Sequence, residues 1–273
     1  MFQYAIAKAI AKKRNDKFKL DISFYINQKL RNYELYKFNI EENLAHNNDK
    51  IKLKGRDDFF FKLIRKLTPK QFRPKSYFLE KKNSVFYEEV FNYKNNIYLD
   101  GYWQNEKYFK DIKHELVKDF NLKRNLKMPI LKLLNDIVNN ESVSIHVRRG
   151  DYINNSIVNK IHGVCSIDYY KNASELISQN IRNPIFYIFS DDINWCKKNF
   201  NFIKSKFFID NTSDALEDLE LMKNCKHNIT ANSSFSWWAA WLNKNSSNIV
   251  ISPKIWWKEA PEMNIACPGW VLL

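Results

Sequence analysis

From Met128 to the C-terminus the sequence alternates between short apolar runs rich in β-branched and aromatic residues and amphipathic stretches of helical length. "PILKLLNDIVNN" leads into "SVSIHVR", "IDYYKNASELIS" into "PIFYIFS", "INWCKKNF" into "SKFFID", "SDALEDLELMKNC" into "HNITA", and "SFSWWAAWLN" into "NIVIS". Each apolar run has the length of a strand, and each intervening stretch can carry a crossover helix. The pattern predicts a parallel, doubly wound α/β sheet over residues 128–273. Such a sheet also constrains function, because ligands bind beyond the carboxyl ends of its strands.

Residues 1–127 are less regular. They open with "FQYAIAKAIAKKR", where Phe2, Ala5, Ile6, Ala9 and Ile10 follow helical spacing. A strand "KFKLDIS", a basic and aromatic middle, a strand "NIYLDGYW" and a helix "NEKYFKDIKHELVKDF" follow. This predicts a second α/β half, residues 1–127, with an irregular insert. No fixed-period repeat and no Gly/Ser or Pro linker interrupts the chain.

Apolar runs such as "PIFYIFS" fall far short of the roughly 20 residues a membrane-spanning helix needs, and the first residues lack a signal-peptide pattern. A cytoplasmic location is expected. Cys165, Cys196, Cys225 and Cys267 are too widely spaced for a finger-like metal site and read as reduced packing residues. The 44 basic and 30 acidic residues leave a charge of +14. The surplus sits before residue 140, in "AKKRNDKFK", "FKLIRKLTPKQFRPK" and "FNLKRNLK". Solvated faces account for most such runs; nucleic acid, anionic lipid headgroups or an acidic glycolipid are the alternatives. The basic residues are spread over amphipathic helices, with no RNA- or DNA-binding motif among them, which disfavours nucleic acid.

Two strand ends carry the chemistry. "SIHVRRGDY" places His146, Arg148, Arg149 and Asp151 at or just past a strand terminus, where paired guanidiniums suit a pyrophosphate; the plainer reading is an Arg–Asp ion pair that staples the loop. "HNITANSSFSWWAAWL" runs from a strand through Asn232, Ser233 and Ser234 into an aromatic helix, which suits an anion at the helix N-terminus or ordinary capping. Two such ends in one βα array favour a nucleotide diphosphate. The adjacent Asp191 and Asp192 of "SDDINW" invite a metal, but their position at a helix start fits capping better. Glu217, Asp218 and Glu220 read by default as solvent-facing, and Trp256 and Trp257 as core. Walker A, GxGxxG, HExxH and GxSxG patterns do not occur.

With these residues in view, "MFQYAIAKAIA", "HVRRGDY" followed by "HGVCSIDYY", "SDDINWCKKNF", "LMKNCKHNITANSSFSWWAAWLN" and "KIWW" resemble, over most of the chain, the α-1,2-fucosyltransferases of bacterial surface-polysaccharide synthesis and their blood-group H-type animal counterparts. The resemblance implies an inverting enzyme of GT-B type: two Rossmann-like halves with a cleft between them, acceptor-side 1–127 and GDP-fucose-binding 128–273. It implies no metal and no cofactor. The donor would be GDP-β-L-fucose and the acceptor the 2-hydroxyl of a terminal galactose, in a lipid-linked precursor as one form, with peripheral contact to an anionic membrane surface. Arg148 and Arg149 would meet the donor pyrophosphate, His146 the nucleotide, and Ser233 and Ser234 the phosphates. Asp218 falls by spacing where relatives present a carboxylate to the guanine edge, which changes its default reading. Asp151 and His162 are the candidate bases, and no motif chooses between them.

Relatives normally begin with a strand and a Gly-rich loop ending in Gly-Asn-Gln before the Met-Phe-Gln-Tyr-Ala with which this sequence starts. The expectation is a missing central strand that leaves Phe2 and Ile6 poorly covered. An inactive, donor-binding truncated form is therefore the alternative reading, and a basic nucleic-acid-binding protein the more distant one.

Overall fold

The computed structural model describes residues 1–26, 32–55 and 76–273, and the chain divides into two compact units, Met1–Lys123 and Arg124–Leu273. The sequence pattern places the change a few residues later, after 127.

In the first unit, α1 (Phe2–Arg14) buries Phe2, Tyr4, Ala5, Ile6, Ala9 and Ile10 on one stripe and stops at Asn15, whose left-handed φ of 50° turns its N–H back to Lys12 O. Phe2 is 5% exposed and Ile6 0%, so the expectation of poor cover is corrected. The ring of Phe109 lies 6.0 Å from that of Phe2, and the Tyr4 ring is 5.3 Å from Phe18 and 5.5 Å from Phe120. After α2 (Asn47–Lys54), strands β1 (Tyr77–Leu79) and β2 (Tyr98–Asp100) pair in parallel, and α3 (Lys113–Asp119) closes the unit. Two expectations fail here. "KFKLDIS" forms no strand: Leu20 makes only an isolated parallel bridge to Leu44. The helix expected from "NEKYFKDIKHELVKDF" begins as two 3-10 turns, Glu106–Tyr108 and Lys110–Ile112. The basic run at 61–75 lies outside the described residues.

The second unit follows the alternation closely. Its elements are α4 (Met128–Asn139), β3 (Ser142–Val147), α5 (Gly150–Asn154), α6 (Ser156–His162), α7 (Ile167–Asn180), β4 (Ile185–Ser190), α8 (Ile193–Asn199), β5 (Lys206–Phe208), α9 (Ala215–Asn224), β6 (His227–Ile229), α10 (Ser234–Leu242), β7 (Val250–Ser252) and β8 (Val271–Leu272). The helices α5 and α6 and the strand β8 are additions to what the sequence predicts. All six strands are parallel, in the order β5-β4-β3-β6-β7-β8.

Every residue of β3 is buried. Val143, Ile145 and Val147 join Tyr170, Ala173 and Ile177 of α7 and Phe186 and Ile188 of β4 in one core, each fully buried aliphatic side chain contributing about 1.5–3 kcal/mol. On the alternate positions of the strand Asn228 Nδ2 donates to Ser144 Oγ at 2.7 Å and to Met222 O, and Asn243 Nδ2 donates to Asn228 Oδ1, so buried polar groups are satisfied in a chain. The sequence runs outward from β3 to β4 and β5, then crosses back to lay β6 on the other side of β3. Between the carboxyl ends of β3 and β6 the winding therefore reverses, and a doubly wound sheet opens its binding crevice at such a point.

Candidate functional site

The register pairs Val143 with His227 and Ile145 with Ile229, so the next residues outward are His146 on β3 and Thr230 after β6. His146 is 5% exposed, its ring lies 5.4 Å from that of Phe235 in the first turn of α10, and Nδ1 has no hydrogen-bond partner. Burial first, and the Arg148 charge second, push its pKa down to about 3, which keeps the imidazole neutral.

Just beyond, Val147 pairs with Ser190 of β4, which sets the arginines after β3 beside the aspartates after β4. Arg148 is held on both arms: Nη2 meets Asp151 Oδ1 at 2.7 Å and Nη1 meets Asp191 Oδ2 at 2.9 Å. Asp191 Oδ1 also accepts the Arg149 backbone N–H at 2.8 Å. A Cβ on Gly150 would lie 2.7 Å from Asp191 Oδ2, so glycine lets the Asp191 carboxylate approach the turn closely. Arg149 is placed differently. Its guanidinium lies 3.7 Å from the centroid of the Trp195 ring and its Nε donates to Asp192 Oδ2 at 3.3 Å, while its two terminal Nη groups have no hydrogen-bond partner among the described residues. Asp192 also caps α8, its Oδ1 accepting from Trp195 N. The sequence reading assigned these aspartates to capping; that holds for Asp192, whereas Asp191 buttresses the arginine turn.

At the end of β6, Ser233 caps α10, its Oγ accepting from Phe235 N, and Ser234 is the first residue of that helix. Neighbouring loops converge on Asn232, whose Nδ2 donates to the carbonyls of His162, Gly163 and Trp256 and whose Oδ1 faces Cys165 Sγ at 3.6 Å. Tyr152 donates to Asn232 O, stacks on the His162 ring at 4.9 Å and lies under Arg148 at 5.6 Å. His146, Arg148, Arg149, Asp151, His162, Ser233 and Ser234 thus gather at one point of reversal. Tyr152 and Trp195 had no role in the sequence reading, and Asp191 was read there only as a helix cap; the contiguous "SDD" at the end of a neighbouring strand was the available signal for its contact with the arginines.

Asp218 lies on another element, in the first turn of α9, among Thr212, Asp214 and Glu217. Its Oδ1 is buried without a hydrogen-bond partner, and burial, with the Asp214 and Glu217 charges adding to it, pushes its pKa up to about 6. Glu217 departs from its solvent-facing default: it is 1% exposed, bonded by Arg124 Nη1 at 2.9 Å and by Ser213 N at 2.7 Å. Burial raises its pKa, but those donors outweigh it and hold the carboxyl below its ordinary value. Trp256 and Trp257 are buried.

At the winding reversal stand a guanidinium fork with unengaged Nη groups and a capped helix N-terminus, features that are chemically suited to a phosphorylated ligand. The model of glycosyl transferase family 11 matches residues 2–273, and the chain belongs to that family, the family of α-1,2-fucosyltransferases, and so is an enzyme. It is 36% identical to an alpha-1,2-colitosyltransferase of Escherichia coli over 99% of this chain and 93% of that one. It is 30% identical to the O-antigen biosynthesis glycosyltransferase WbnK of Escherichia coli over 100% and 96%. With the galactoside alpha-(1,2)-fucosyltransferase 2 of Pongo pygmaeus it shares 28% identity over 53% of this chain and 44% of the other. A crystal structure of POFUT1 in complex with GDP superposes with a TM-score of 0.40 and 11% identity, covering 91% of this chain and 93% of that chain.

Proposed function

We propose that this enzyme transfers L-fucose from GDP-β-L-fucose to the 2-hydroxyl of a terminal galactose in a surface-glycan precursor, with inversion. The observation that carries the reading is the Arg149 fork, pinned on Trp195 with its Nη groups unengaged at the point where the sheet winding reverses. The donor pyrophosphate lies against this fork and against the N-terminus of α10, His146 lines the nucleotide, and Asp218 accepts from the N1–H and 2-amino group of guanine. The galactose oxygen attacks the anomeric carbon as the bond to the β-phosphate breaks. Arg149 and the first N–H groups of α10 stabilise the charge developing on the leaving phosphate. Asp191 and Asp192 are engaged with arginine and helix N–H groups, so the reading assigns no step to a metal, and turnover is expected to persist in chelator.

Titration calorimetry with GDP, GDP-fucose and ADP, without metal, tests the donor: guanine nucleotides are expected to bind in the micromolar range and ADP not to bind. A second reading, colitosyl transfer, is favoured by the near-complete alignment with the colitosyltransferase, whereas the fucosyltransferase match spans about half the chain. Transfer to a galactoside from the two donors side by side separates them, and binding of either without transfer would mark an inactive form. No helix among the described residues is long and apolar enough to cross a membrane. The reading puts the enzyme on the cytoplasmic side, with the basic surplus drawing it to anionic lipid that carries the acceptor. Co-sedimentation that rises with the anionic fraction of liposomes is the expected result.

A further inference from the structure

Arg149 is the better buried of the two arginines after β3, its side chain 18% exposed against 28% for Arg148, yet it spends fewer N–H groups on the protein. Arg148 gives one Nη to Asp151 and the other to Asp191. Arg149 gives only its Nε, to Asp192 Oδ2 at 3.3 Å, and its Nη groups have no hydrogen-bond partner among the described residues. A guanidinium so far from water has to recover its lost hydration elsewhere. It does so through its face, 3.7 Å from the centroid of the Trp195 ring. An indole face takes up the charge and leaves the donors at the guanidinium's edge unused, whereas a second carboxylate would have consumed them.

Trp195 acts on this arginine twice. Its backbone N–H goes to Asp192 Oδ1 at 3.2 Å, the other oxygen of the carboxylate that accepts Arg149 Nε, and Asp192 N is itself tied to Ser190 Oγ at 2.9 Å. Its ring is braced edge-on by the fully buried Phe200, 6.0 Å away at 75°, and packs against the core that holds Val147 and Ile188. The plane of the indole, and with it the direction of the Arg149 fork, is therefore set by the sheet core.

We infer that Trp195 is a positioning residue for the transfer: stacked on Arg149, it fixes the direction in which the fork meets the donor diphosphate and takes none of the hydrogen bonds that the diphosphate needs. The inference rests on the donor reading proposed above. It goes beyond that reading in assigning part of the stabilisation of the leaving phosphate to a side chain that acts only through Arg149.

A double-mutant cycle between Trp195 and Arg149 tests this in the intact chain, read by calorimetric binding of GDP and inorganic pyrophosphate and by single-turnover transfer. Trp195→Leu is expected to weaken pyrophosphate binding by about 3–30-fold, the range a desolvated cation–π contact spans. It should lower kcat as well and leave the KM for the galactoside acceptor unchanged. Trp195→Phe, which keeps a ring face in the same slot, is expected to recover most of the loss. In an Arg149→Ala background Trp195→Leu should change binding and kcat by less than about 2-fold, because no fork is left to place. A side chain that only fills the core would cost the same in both backgrounds, and that result overturns the inference, as does full binding and turnover in Trp195→Leu with Arg149 present. Should Trp195→Leu not fold, Trp195→Met, whose flexible apolar side chain refills the slot without a ring face, carries the same cycle with the same outcomes. If the wild-type chain binds neither GDP nor inorganic pyrophosphate, the donor reading and this inference both fall; binding in the wild type that proves uncoupled to Trp195 removes this inference alone.

Discussion

The two strand ends that flank the winding reversal, if the donor reading holds, would attract an anion by opposite means. After β3 the positive field comes from side chains, Arg148 and Arg149, and it needs counterions: Asp151, Asp191 and Asp192 stand against them. After β6 it comes from the backbone of α10, behind Asn232, Ser233 and Ser234, and needs none. The difference teaches that the charged end can be set by the neighbouring strand and removed by one substitution, whereas the neutral end is fixed by the fold and survives loss of any side chain. The charged end also gives larger effects.

The sharpest break of the comparison is Arg149→Ala. Its fork is the cationic group at this site whose Nη groups are unengaged, and turnover is expected to fall about 10²–10³-fold at saturating substrate, as when a preorganised donor to a developing anion is lost. Arg148→Ala should cost less in donor affinity, since its arms are already spent on carboxylates. Initial rates of galactoside transfer, with thermal midpoints to confirm that both variants fold, rank the two; a larger affinity loss in Arg148→Ala would reverse the assignment of the open fork.

Gly150→Ala probes the same end through the backbone. The added methyl would meet Asp191 Oδ2 at 2.7 Å, so either the Asp191 carboxylate that holds Arg148 and the Arg149 N–H or the turn itself must shift. Overpacking of this kind destabilises by about 1–3 kcal/mol, and turnover should drop with it. Denaturant unfolding and donor KM measure the two; an unshifted KM would show that the arginines do not depend on this turn.

Asp218 extends the comparison to a carboxylate that has no cation of its own. Its folded-state pKa is raised from 3.8 to about 6, so ionising it costs more in the fold than in the unfolded chain. The stability this confers is present below about pH 4 and is lost as pH rises through about 6, an effect on the order of 2–3 kcal/mol. Asp218→Asn should therefore be more stable than wild type at pH 7, match it closely at pH 4, and bind GDP more weakly. Thermal midpoints at the two pH values check the first part, and equal midpoints in both proteins at pH 7 would contradict it.

The sheet was legible because parallel strands buried on both faces leave continuous apolar runs, and "SIHV" and "YIFS" could be placed to within a residue. So were His146, Arg148, Arg149, Ser233 and Ser234, since a strand terminus is visible in sequence wherever polarity changes abruptly. What could not be read is what only pairing decides. That Arg148 would be engaged on both arms and Arg149 open on Trp195 depends on Val147 lying opposite Ser190, a register no single segment encodes. The first unit was hard for a different reason. Its aromatic packing, with Tyr4 between Phe18 and Phe120 and Trp103 beside Phe78 and Tyr108, has no period, and its strands are three residues long. "KFKLDIS" alternates as a strand should, yet among the described residues it has no partner strand beyond the bridge at Leu44, and without a partner alternation alone does not make a sheet.

The smallest effect belongs to the neutral end, and it is the one that tests the teaching most directly. Ser233→Ala removes the hydroxyl that accepts the Phe235 N–H, a cap worth about 1 kcal/mol. The backbone N–H groups of the first turn stay where α10 holds them, because the helix is anchored by Trp237, Trp238 and Trp241 in the core and by the Trp237 Nε1 bond to Ile265 O at 2.7 Å. The expected outcome is a thermal midpoint a few degrees lower, with donor KM and kcat changed by less than about 5-fold. A loss as large as that of Arg149→Ala would mean that Ser233 itself, through its hydroxyl, holds the phosphate. The two strand ends would then work by the same means, and the division between side-chain charge and backbone dipole would not stand.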